Sequence, residues 1–102
     1  MNKHRDYRRR HVLITSADET VAECERLTAT PIDGSEQAGR YWRRAAKLYG
    51  MAAERYQLAG LGMRAIAAWK AAASCYETIG IDDARGHCLQ RASAIPVYYE
   101  ES

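Results

Sequence analysis

Phenylalanine is absent, so the aromatic bulk of the chain comes entirely from Tyr and Trp, each with a polar end. Such aromatics suit a core that lies close to a surface or an interface. Proline occurs only as Pro31 and Pro96, and each stands where a helical pattern stops. Long apolar runs are missing as well. Val12-Leu13-Ile14 is far too short for a signal-peptide core or a membrane span, so no membrane partner and a cytoplasmic location are expected. Asp6 argues against reading the Arg-rich start as a transit peptide.

Cysteine is scarce and odd in number: Cys24, Cys75 and Cys88 are widely spaced, which gives no disulfide framework and agrees with a reducing compartment. No CxxC or HxxxH spacing occurs, and the neighbours His87 and Cys88 would point about 100° apart on a helix. Neither a metal site nor a cofactor is expected, and Cys75 and Cys88 read as small core residues. The serines lack nucleophile-elbow glycines, and no glycine loop has a phosphate-binding pattern. The acid pairs Asp82-Asp83 and Glu100-Glu101 fall at a cap and in a tail. The chain therefore reads as a non-enzyme with no evident small-molecule substrate.

A formal net charge of +2 is too small to argue for nucleic acid, but its distribution is uneven. Lys3, Arg5, Arg8, Arg9 and Arg10 against Asp6 load the first ten residues with about four excess positives. Arg outnumbers Lys throughout, as in chains from GC-rich bacterial genomes. At 102 residues, 47% hydrophobic and 27% charged, the chain fits one globular domain with a modest core.

The strongest pattern runs from Ser35 to Gly60. Ala38, Trp42, Ala45, Tyr49, Ala52, Tyr56 and Ala59 recur at alternating spacings of four and three, the period of one helix face. Small residues there let a neighbouring helix approach while the aromatics fill beside it. Gly50 interrupts the helix at a cost of about 1 kcal/mol relative to Ala and marks a close crossing or a bend. Ser35 reads as its cap, and Gly60 as a left-handed terminator. A third helix follows over about 63–79. Gly80 closes it, and Asp82 reads as the cap of a fourth over about 83–95.

Two readings fit the N-terminal segment. Ser16-Ala-Asp-Glu19 resembles a capping box, which starts a helix at Ala17 and leaves 1–14 as a basic arm, with at most a short strand over Val12–Thr15. Alternatively, Tyr7, Arg10, Ile14, Ala17, Val21, Cys24 and Thr28 fall at helical spacing, and one helix begins near Arg5. The helical domain spans 15–96, and 97–102 is an acidic, aromatic tail expected to be loose.

An offset of twenty residues superposes Ala52 on Ala72, Ala53 on Ala73, Tyr56 on Tyr76, Gly60 on Gly80 and Leu61 on Ile81, the signature of stacked helical units. At these residues the chain resembles the tetratricopeptide repeat. Tyr49, Ala52-Ala53, Tyr56, Gly60, Ala65-Ile66, Trp69 and Ala72 fall where that family's two-helix motif has its aromatic, small and glycine positions. The match covers about 46–73. It departs at Glu77, where the family closes its repeat with proline and the third helix here runs on. The period near twenty, with AAxxYxxxG and then Cys88-Leu89, is more similar to the longer-helixed soluble attachment proteins of vesicle fusion. The resemblance implies an all-α antiparallel helical hairpin array that binds protein segments without catalysis.

Arg40, Arg43, Arg44 and Lys47 lie off the packing stripe and form the candidate ridge for a protein partner or an anionic ligand. The bland alternative is an ordinary solvated face. Together with Lys3, Arg5, Arg8, Arg9 and Arg10 the same ridge suggests a second reading, a small basic regulator of nucleic acid, with Tyr7 or Tyr41 stacking on bases. About one and a half repeats should leave apolar sides open at Val21, Cys24 and Leu27 and at Ala84, Cys88, Leu89 and Ile95, which points to a homodimer.

Overall fold

The computed structural model describes residues 3–97, with side chains from Tyr7 onward. The described residues form four helices: α1 (Lys3–Thr28), α2 (Glu36–Leu58), α3 (Gly62–Thr78) and α4 (Asp82–Ser93). The chain is all-α, and its helices pack in order, α1 on α2, α2 on α3 and α3 on α4. That is an antiparallel hairpin array. Residues 98–102, nearly the whole of the acidic tail, lie outside the described residues.

The N-terminal segment is helical from Lys3 onward. Ser16 sits inside α1, and Val12–Thr15 are helical, which removes both the capping box and the short strand. From Arg10 onward one stripe of α1 faces α2. Ala17 and Cys24 are fully buried, and Arg10 Nε donates to the carbonyl of Ala59 at 2.9 Å. A long cation at an inward position reaches past the helix surface, so the stripe continues where hydropathy alone shows a polar residue. Pro31 ends α1, and Asp33 Oδ1 accepts from Ser35 N in the following turn. Ser35 Oγ then accepts from Ala38 N at 3.2 Å, satisfying one free N–H of α2. Trp42 Nε1 donates to Thr30 O and ties this loop to α2.

The twenty-residue repeat reappears as repeated backbone geometry. Leu61 N bonds Tyr56 O and Gly60 N bonds Gln57 O, while Ile81 N bonds Tyr76 O and Gly80 N bonds Glu77 O. Both are Schellman closures, and each needs its glycine at positive φ, +80° at Gly60 and +75° at Gly80. Leu61 and Ile81 are the N-caps of the helices that follow, and neither makes a side-chain cap bond. Asp82 is therefore the first residue of α4 rather than its cap, where its charge suits the helix dipole.

Alanine fills the helix crossings: Ala45, Ala52, Ala65 and Ala72 are fully buried. Because α2 lies between two helices, Ala46 and Ala53 are buried as well, one position beyond the expected stripe. Gly50 is the close crossing. A Cβ there would lie 3.2 Å from the Trp69 ring. Trp69 Nε1 donates to Gln57 Oε1 at 3.0 Å, and the Arg91 guanidinium stacks 4.4 Å from the ring centroid, which joins α2, α3 and α4.

The open apolar ends expected from the sequence are mostly closed. Cys24, Cys88 and Ile95 are buried, and Val21, Leu27 and Ala84 are half-buried, leaving Leu89 as the exposed member of the two sets. Those stripes already face a neighbouring helix within the chain. No helix among the described residues is long and apolar enough to cross a membrane.

Candidate functional site

The periodicity that buries the alanine stripe of α2 turns Arg40, Arg43, Arg44 and Lys47 to its opposite side, and all four are exposed. The structure brings the four together. With Tyr41 and Leu48 they line one shallow depression of about 540 Å³. Arg40 and Arg43 also border a second hollow, with Glu36, Gly39 and Ile79. Arg40 approaches Glu36 at 3.6 Å, but both side chains are so exposed that the pair adds little stability. Arg44 and Lys47 make no ion pair among the described residues. Burial pushes the Tyr76 phenol up, while the charge of nearby Arg43 pulls against it. Beyond Lys47 the same side of α2 carries Met51, 46% exposed, and Leu58, 71% exposed. This face is cationic in its first half, while its second half carries Met51 and Leu58 with the charged Glu54 and Arg55 between them.

The N-terminal cations are placed differently. Arg8 and Arg9 are exposed, Arg10 is engaged at the C-terminus of α2, and the side chains of Lys3 and Arg5 lie outside the described residues. Arg44 and Ala59 are separated by about 22 Å of helix. The basic start of α1 and the ridge thus sit toward opposite ends of α2 and do not merge into one cationic surface.

Sequence reasoning missed a groove on the other side of the first hairpin. There α1 and α3 diverge over α2 and leave about 290 Å³ lined by Val21, Tyr49, Tyr56, Ala67, Ala68 and Ala71, with Arg64 at its edge. Run together, Ala67, Ala68 and Ala71 are the signal, since methyl side chains at three neighbouring positions of one helix cannot fill a gap. Tyr56 hydroxyl donates to Asp18 Oδ1 beside the groove. Burial first, and that bond second, push its phenol up to about 12.

The three thiols offer no reactive group. Burial pushes Cys24 up to about 12 and Cys75 up to about 11, and raises Cys88, so all three are protonated at neutral pH. Among the described residues no three His, Cys, Asp or Glu side chains gather where they could hold a metal ion. No family model, curated protein or solved structure matches the chain.

Proposed function

We propose that this chain is a non-catalytic protein-interaction module, tetratricopeptide-like, that takes an acidic segment of a partner or of a second copy along the outer side of α2. One observation carries the reading: Arg40, Arg43, Arg44 and Lys47 line one depression, with Arg44 and Lys47 in no ion pair among the described residues and Met51 and Leu58 exposed farther along the same helix. Guanidinium groups bind carboxylates in bidentate fashion, and the exposed Met51 and Leu58 add apolar surface that a partner could bury. The repeated Schellman turns support the resemblance to helical-hairpin binding modules. Nucleic acid is the weaker fit, because the basic start of α1 lies toward the far end of α2 from the ridge.

The test is capture of partners from the native host by tagged chain, with and without nuclease. Wild type should retain nuclease-resistant protein, and a variant with Arg40, Arg44 and Lys47 changed to Glu should lose it. Partners that vanish with nuclease treatment, or that survive the triple change, would overturn the proposal.

A further inference from the structure

The outer side of α2 does not stand alone, because α1 presents a complementary side next to it. In α1, Arg10, Ala17 and Cys24 face α2, and Asp18 and Val21 lie on the groove side beside Tyr56 and Tyr49. At 100° per residue, Arg9, Val12, Ser16 and Glu23 then fall on the side away from the groove. The same construction on α2, with Ala45 and Ala52 toward α1 and Tyr49 and Tyr56 toward the groove, turns Arg44 and Met51 to that side, flanked by Arg40, Lys47 and Leu58. The first hairpin therefore has one broad side that α3 and α4 leave uncovered.

Its residues are ordered along the axis. Arg10 is level with Ala59 and Cys24 with Ala45. This register sets Val12, 63% exposed, beside Leu58 at one end, and Glu23 beside the turn from Arg44 to Lys47 at the other. Within one chain these residues lie side by side rather than face to face: Glu23 pairs with Arg26, not with the ridge.

A two-fold axis parallel to the helices changes that. Such a rotation keeps every residue at its own height and lays α1 of a second copy antiparallel over α2 of the first. Val12 then comes down on Leu58, and Glu23 on Arg44 and Lys47, each contact occurring twice. We infer that the chain forms a two-fold dimer through this side of the α1–α2 hairpin, with Glu23 of each copy seated on the Arg44–Lys47 turn of the other and the Val12–Leu58 rows closing the opposite end. The inference rests on the proposed role of the α2 face and names its first partner. Charge complementarity selects this occupant: the cationic half of α2 has its acidic counterpart at the matching height on α1.

Sedimentation equilibrium of the full chain at micromolar concentrations is the test. Wild type should show twice the 11.5 kDa chain mass. Glu23→Lys alone, or Arg44→Glu with Lys47→Glu, should raise the dimer dissociation constant by about tenfold or more, since each sets like charges against each other twice. A mixture of the two variants should recover the dimer, because both rows are complementary in the mixed pair. All three substituted residues are exposed or half-buried, and unchanged circular dichroism serves as the folding control. A wild-type monomer at every concentration, a mass growing beyond two chains, or a mixture no tighter than its components would overturn the dimer. None of those outcomes touches capture of another protein by the ridge, so the two proposals fail separately.

Discussion

Gly50 and Gly86 are both helical glycines, yet a methyl group meets opposite surroundings at the two. A Cβ on Gly50 comes within 3.2 Å of the Trp69 ring, whereas one on Gly86 meets nothing within 4 Å. Gly86→Ala should therefore stabilise the chain by about 1 kcal/mol through helix propensity alone. Gly50→Leu must push Trp69 away from Gln57 and Arg91 and should cost about 1–3 kcal/mol despite the same propensity gain. Urea unfolding reads both, and a Gly50→Leu midpoint equal to wild type would mean that the ring does not hold that crossing. The buried protonated groups predict the response to alkali. Burial, aided at Tyr56 by the Asp18 bond, pushes Tyr49 and Tyr56 up to about 12 from 10.0, and Cys24 goes to about 12 from 9.0. Each pKa is higher in the folded chain than in the unfolded one, so the stability these groups carry is intact below about pH 9 and is lost as pH rises toward 12. The urea midpoint should fall across that window, and Tyr56→Phe should flatten the part above pH 10. A midpoint level to pH 12 would contradict the assignment.

At the scale of elements, helix ends are held by a few polar contacts that differ in how visible they are in sequence. Ser35, Gly60 and Gly80 are local signals, which is why α2, α3 and α4 can be bounded from the sequence to within a residue or two. The start of α1 cannot. Ser16, Asp18 and Glu19 carry the spacing of a capping box, but the helix runs through them because Arg10, Ala17 and Cys24 keep facing α2. Nothing local to Arg10 reveals that its guanidinium ends at the carbonyl of Ala59, residues away in sequence and in another helix. The ridge was legible for the opposite reason, since four cations within eight positions of one helix must share a side. The groove and the Gln57–Trp69–Arg91 cluster depend on how helices diverge or meet, which spacing within one helix does not encode. Arg10→Ala tests the tertiary contact. It removes a cation from the C-terminus of α2 and should cost about 0.5–1 kcal/mol. Arg8→Ala, exposed and two residues away, should stay within about 0.5 kcal/mol of wild type in the same urea titration.

At the scale of the molecule, serial packing gives an elongated body, 52 × 24 × 20 Å, whose stability is distributed between neighbours. Contacts between consecutive helices are short in sequence, which favours rapid folding. The two end helices differ in security. α1 is long and packs along α2, whereas α4 has 12 residues and rests on α3, with Arg91 reaching over to Trp69 and Gln57. The indoles divide along the same line: Trp42 lies in the first hairpin, and Trp69 sits under α4. The chain thus carries its own pair of optical probes, one for each end. In a Trp42→Phe variant, emission comes from the indole beneath the last helix alone, while far-ultraviolet ellipticity counts all four. Loss of α4 should shift the emission of Trp69 to the red at lower urea than the main fall in ellipticity, so that the array peels from its C-terminal end. Coincident transitions would show instead that the cluster around Trp69 binds the last helix into the same cooperative unit as the rest.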